Sequence, residues 1–129
     1  MTTADAPPIV FVHGTRFSAG QWSTQLSALR EEFPVTAVDL PGHGTRSAQP
    51  WSLSGATEVV AAAVDSLGGE PAVVVGHSLG GYVSLEFARR CPERLRGLFS
   101  RAPARPPAAP GPRPTGGSPA WSPASRRTG

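Results

Sequence analysis

Residues 76–80 read GHSLG and follow directly on the apolar run AVVV (72–75). A serine becomes a nucleophile when its hydroxyl is exposed, lies beside a base and faces donors that can hold an oxyanion. A sharp turn from a strand into a helix achieves the exposure, at the cost of a strained backbone at the serine. Such a turn leaves room only for small residues two positions away, and Gly76 and Gly80 stand there. The start of the following helix adds free N–H groups and a partial positive charge. On this reading Ser78 is the candidate nucleophile and the Leu79 N–H a candidate oxyanion donor; Gly81 lets the helix pack closely on the sheet.

A second donor has to come from another chain segment, and HGTRF (13–17) has the right character. Gly14 permits close approach, and the Thr15 N–H is the candidate donor, with Arg16 as the alternative. His13 precedes that glycine at a strand end and reads as an orienting or packing residue. His77 adjoins Ser78, but successive side chains diverge, so its ring is expected to point away. DLPGHG (39–44) supplies Asp39 and His43. An improvised Asp39–His43–Ser78 set is conceivable, because such constellations recur in several chain orders. The bland readings are that Asp39 orients its own loop and that Arg16 is a solvated loop residue.

These residues need elements to carry them. PIVFVHG (8–14), VTAVDL (35–40) and PAVVVG (71–76) are continuous apolar runs, as expected of strands buried on both faces. LRGLFS (95–100) is a fourth, weaker candidate strand. QWSTQLSALREEF (21–33) places Trp22, Leu26, Leu29 and Phe33 on one helical face, closed by Pro34. Residues 52–69 put Val59, Val60, Ala63, Val64 and Leu67 on one side and end at Gly68 and Gly69. Residues 79–91 put Leu79, Val83 and Phe87 in register, with Cys91 as a helix-end residue. Alternating strands and helices imply a parallel sheet with helices on both faces. Ligands of such sheets gather at the carboxyl ends of the strands. All three histidines of the chain fall in the segments that follow those ends.

VHGTRFSAGQW, VDLPGHGTRS and VVVGHSLGGYVSLEFARRCPERLRGL, in that order, resemble the α/β-hydrolase superfamily. The resemblance runs from residue 8 to about residue 99. It implies a partial α/β-hydrolase fold: four parallel strands in spatial order two-one-three-four, with flanking helices. It implies Ser78 as nucleophile, Thr15 and Leu79 as oxyanion donors, and His13, Gly14, Gly76, His77 and Gly80 in support. The implied substrate is a small-molecule ester, thioester or lactone. No cofactor and no metal site is expected.

The chain also departs from that pattern, in which an acid and then a histidine follow the serine. After Ser78 the acidic residues are Glu86 and Glu93, both in or just beyond the next helix, and no histidine follows His77. Very low or no turnover is therefore expected of these 129 residues. Four strands of a sheet that normally continues would also leave an apolar edge and a poorly covered face.

Composition divides the chain at residue 100. Residues 101–129 are mostly Pro, Arg, Ala and Gly, with five Arg and no acidic residue. Residues 1–100 carry net charge −2, so the basic pI belongs to the tail. The expected domains are 1–100, the N-terminal part of a hydrolase domain, and 101–129, a disordered Pro/Arg-rich tail. Specific nucleic-acid binding is not expected of a slightly acidic folded part. No membrane segment and no signal peptide is apparent, and a lone Cys91 fits a reducing compartment, so a cytoplasmic location is expected. Oligomeric state is left open. A rival reading is a non-catalytic interaction module whose tail, with PARP (103–106) and PAAP (107–110), serves as a ligand. A third is complementation by a chain that supplies further strands and a histidine. The tail's four dominant residue types have GC-rich codons, and the chain has twelve Arg and no Lys. Out-of-frame translation from residue 99 or 100 explains both. The coding DNA then yields, in another frame past codon 100, a strand-rich continuation with an Asp and a late His; neither frame doing so refutes it.

Overall fold

The computed structural model describes residues 6–102. Residues 103–129 of the tail, with PARP and PAAP, lie outside the described residues, while Arg101, expected in the disordered tail, ends a strand. Four strands form one parallel sheet: β1 (Ile9–Val12), β2 (Val35–Val38), β3 (Ala72–His77) and β4 (Leu95–Arg101). Their order is β2-β1-β3-β4, the expected two-one-three-four. Val10 pairs with Thr36 on one side and Val74 on the other, which levels the carboxyl ends of β1 and β3.

One face of the sheet is covered by α2 (Leu53–Ser66) and α3 (Leu79–Arg90). Val10, Val12 and Val74 from the sheet meet Val60 and Val64 of α2 and Leu79, Val83 and Phe87 of α3 in one buried cluster. These are the helical faces read from the sequence. Local chemistry sets the limits of α2. The Ser52 hydroxyl accepts the Gly55 N–H at 2.8 Å, a standard N-cap. At the other end Gly69 N–H reaches Val64 C=O and Gly68 N–H reaches Asp65 C=O, both 3.0 Å. That pair of bonds is a Schellman motif, and Gly68 takes the positive φ it needs.

The opposite face is covered only in part. A 3₁₀ turn (Ala19–Trp22) leads into α1 (Ser23–Leu29), and Trp22 packs on Phe11 with ring centroids 4.9 Å apart. The helix is shorter than the 21–33 expected. Glu32 and Phe33 N–H groups both turn back to Leu29 C=O, because Pro34 disfavours helical backbone at Phe33. Val73 and Val75 are half-buried on this face, and Phe99 on β4 is 66% exposed. Burial on both faces thus holds for β1 but not for β3, which alternates buried and half-buried residues. This is the poorly covered face anticipated for a four-stranded sheet.

The tightest packing lies where α3 crosses the strands. A Cβ on Gly80 would overlap the carbonyls of Val12 and His13, and one on Gly76 would overlap Gly80 C=O and the Ser84 hydroxyl. Backbone atoms of paired strands cannot yield as a flexible side chain does. Gly80→Ala is expected to destabilise the chain by about 3 kcal/mol or more, well above the ordinary cost of a helical substitution. Denaturant melts against Leu85→Ala, an exposed α3 position, check this.

Candidate active site

Ser78 joins β3 to α3 with φ 56° and ψ −118°. A positive φ is costly for a serine, and the contacts around the flanking glycines hold it there. The strand side is fixed as well: Ser78 N–H donates to Arg101 C=O at 2.7 Å. Its C=O accepts the Gly81 N–H at 2.8 Å. The Ser78 side chain makes no capping bond to its helix and is half-buried. Leu79 opens α3, so its N–H has no partner within the helix. Below the elbow the buried Ser84 hydroxyl donates to Gly80 C=O at 2.6 Å.

The loop after β1 stands against this elbow. A Cβ on Gly14 would sit 2.9 Å from His77 Nδ1 and 3.2 Å from Ser78 Cβ. Gly14 and Phe17 close a turn, Phe17 N–H to Gly14 C=O at 3.0 Å. Arg16 sits third in that turn with φ 71°, the position where a type II turn favours glycine. Among the described residues, neither the Thr15 N–H nor the Arg16 N–H has a hydrogen-bond partner, and the buried Thr15 hydroxyl has none. The loop that holds Thr15 thus packs directly against the elbow at Ser78.

His13 is fully buried. The Leu40 N–H donates to its Nε2 at 3.0 Å, and its Nδ1 lies 2.8 Å from Gly14 C=O. A peptide N–H can only donate, so Nε2 is the acceptor and the proton resides on Nδ1. Burial pushes the His13 pKa down, with the Gly14 carbonyl opposing and nearby His43 assisting. His13 is thus a neutral strut between the ends of β1 and β2.

The improvised Asp39–His43–Ser78 set is not assembled. The Asp39 carboxylate accepts Ala19 N–H at 2.7 Å, Thr45 N–H at 3.0 Å and the Thr45 hydroxyl at 2.8 Å. Partial burial acts to raise its pKa, but these bonds outweigh it and the net shift is downward. Gly44, at φ 54°, lies so close that a Cβ would overlap that carboxylate. His43 Nδ1 donates to Pro41 C=O at 3.0 Å, and its ring packs on His13 and Trp51. His77 turns toward Gln21, 3.0 Å from its Nδ1, and toward the edge of Phe17. Glu86 is engaged by Arg89 and Arg90, which hold its pKa at about 2. Glu93 lies exposed in the 3₁₀ turn after α3, and Cys91 caps that helix. Among the described residues no imidazole is hydrogen-bonded to Ser78, and no group of three His, Cys, Asp or Glu side chains could hold a metal. No described helix is long and apolar enough to cross a membrane.

Two features escaped the sequence reading. The Arg101 carbonyl, one residue past the expected strand, holds the Ser78 N–H. Gln21 ties the loop after β1 to His77. No pattern marks either one, because their partners are distant in sequence.

A four-stranded parallel sheet carrying a strained serine between β3 and a crossing helix defines a class, and the comparisons agree. The sequence profile described as the alpha/beta hydrolase family matches residues 9–129, and the chain belongs to that family. It is 38% identical over 91 residues to a pimeloyl-acyl-carrier-protein methyl ester esterase of Neisseria meningitidis serogroup C, covering 70% of this chain and 34% of that protein. It is 40% identical over 98 residues to the protein of the same name from Nitrosomonas europaea, covering 75% and 37%. Among solved structures, a hydrolase from Pseudomonas aeruginosa superposes with TM-score 0.65 at 31% identity, covering 76% of this chain and 38% of that one. The chain thus spans little more than a third of the length of these relatives.

The neutral strut at His13 has a consequence in solution. The folded state takes up its proton less readily than the unfolded chain does. Stability is therefore level above the ordinary histidine value, about 6.5, and falls as pH drops below it toward the lower folded value. The melting temperature is expected to fall between pH 7 and pH 5, and His13→Gln to flatten that slope. An unchanged slope in the variant refutes the assignment.

Proposed function

We propose that this chain carries the nucleophile and oxyanion half of a carboxylic ester hydrolase, with Ser78 as nucleophile. The observation that carries the reading is the Ser78 elbow at φ 56°, its hydroxyl uncommitted to the helix cap, between the Leu79 N–H and the Thr15 loop. Methyl ester cleavage by the two curated relatives supports an ester as substrate class; a thioester or lactone presents the same acyl carbon.

In the proposed reaction a base takes the Ser78 proton while Oγ bonds to the acyl carbon. The carbonyl π electrons move to oxygen, and the N–H groups of Leu79 and Thr15 hold that oxyanion. Collapse expels the alkoxide, which takes up a proton and leaves as the alcohol, with the acyl group on Ser78. Water then repeats the sequence and frees the acid. Residues 79–129 contain no histidine, and Glu86 is committed to two arginines. These 129 residues alone therefore acylate slowly and turn over poorly. The donors retain some rate without the base.

The test is incubation with p-nitrophenyl butyrate, with and without imidazole as an external base. We expect an acyl adduct on the tryptic fragment 47–89, faster with imidazole and absent in Ser78→Ala, and steady turnover near background. An adduct rate equal in the two proteins overturns Ser78 as nucleophile. Fast Ser78-dependent turnover without imidazole overturns the missing base.

A further inference from the structure

Gln21 is the one described side chain hydrogen-bonded to both walls of the candidate site. Its Oε1 accepts the Gly14 N–H at 3.0 Å. Its Nε2 lies 3.0 Å from His77 Nδ1. The orientation of the carboxamide follows from chemistry: a peptide N–H only donates, so the oxygen faces Gly14 and the NH₂ group faces His77. The NH₂ group donates in turn, so His77 Nδ1 accepts. His77 is then the neutral tautomer with its proton on Nε2.

The two anchors are well placed. Gly14 immediately precedes Thr15, and His77 immediately precedes Ser78. The Gly14 backbone lies so near His77 and Ser78 that a single methyl group would crowd both. Phe17 packs edge-on against His77 from the same loop, at a centroid distance of 6.2 Å. Gln21 is itself fixed, since its 3₁₀ turn is capped by Ser18 and bound at Ala19 N–H by Asp39. An unbroken chain of contacts thus runs from Asp39 through Gln21 to both donor segments.

From this geometry we infer that Gln21 is a positioning residue: its carboxamide sets the spacing of the Thr15 and Leu79 N–H groups by locking Gly14 to the Nε2–H tautomer of His77. Hydrogen-bond donors stabilise an oxyanion only when both reach the same oxygen, and a shift of about 1 Å can cost a hundredfold in rate. The role in acylation rests on the reading of Ser78 as nucleophile; the tautomer lock does not.

The experiment uses the full 129-residue chain and has two readouts. Nitrogen-15 NMR of the imidazoles reports the tautomer. In the unsubstituted chain His77 is expected with Nε2 protonated and Nδ1 accepting. Gln21→Glu keeps an acceptor for Gly14 but has none of the NH₂ protons, so His77 is expected to move its proton to Nδ1. Gln21→Ala is expected to speed exchange of the Gly14 amide. In the imidazole-assisted acylation, Gln21→Ala is expected to lower the maximal rate of Ser78 adduct formation about tenfold, with little change in the half-saturating ester concentration. A protonated Nδ1 in the unsubstituted chain overturns the proposal, as does the same tautomer in Gln21→Glu. A normal maximal rate in Gln21→Ala overturns the positioning role. If Gln21→Ala does not fold, the isosteric Gln21→Glu and the unsubstituted chain still decide. No adduct in the unsubstituted chain, with the tautomer as expected, overturns the Ser78 reading and leaves the lock standing.

Discussion

The first turn of α3 rests on the carbonyl ends of β1 with no space at Gly80 for even a methyl group. Much else follows from that contact. With α3 pressed so close, the chain leaving β3 must reverse within one residue, and Ser78 takes the positive φ that the reversal needs. Strain of this kind persists only where neighbours over-determine it. Here the neighbours are Gly76 beneath, the Arg101 carbonyl on the Ser78 amide, and Gly14 against the side of the elbow. Phe87 and Val83, buried against the strands, supply the apolar burial that keeps α3 in place.

Around this contact the polar groups serve mainly to hold loops. His13 is kept neutral by burial, and both its ring nitrogens are spent on backbone, one accepting from Leu40 and one donating to Gly14. Asp39 is kept ionised by three donors from two loops. Neither has capacity left for proton transfer at Ser78. His43 is held at Pro41 through Nδ1 and makes no bond to Ser78, and Glu86 is bound to Arg89 and Arg90. The N–H groups of Leu79 and Thr15 stay uncommitted, together with the Ser78 hydroxyl. Among the described residues no imidazole or carboxylate is hydrogen-bonded to Ser78.

Much of this was legible from residue order. The continuous valine runs and the helical spacing of Val60, Val64, Val83 and Phe87 record burial directly, because a strand or helix repeats its buried face at a fixed period. The strand order followed from the resemblance. α1 was read too long because its face is only half-buried, so apolar spacing ran on past the point where Pro34 turns the chain. Gln21 could not be read at all. A glutamine on a helical turn is ordinary, and its two partners lie 7 and 56 residues away.

The sequence by itself determined the elements, their parallel arrangement and the small residues that a close crossing requires, since these depend on periodicity, on the alternation of strands and helices and on the size of single side chains. It also determined that no histidine follows the serine, a matter of composition alone. Only the tertiary structure decided how the polar side chains are spent. Whether Asp39 orients a histidine or ties down two loops, and whether His77 faces the serine or a glutamine, depends on distances between segments that local pattern does not encode. Hydrogen bonds act over about 3 Å, and only the packed fold brings residues 14, 21 and 77 within that reach.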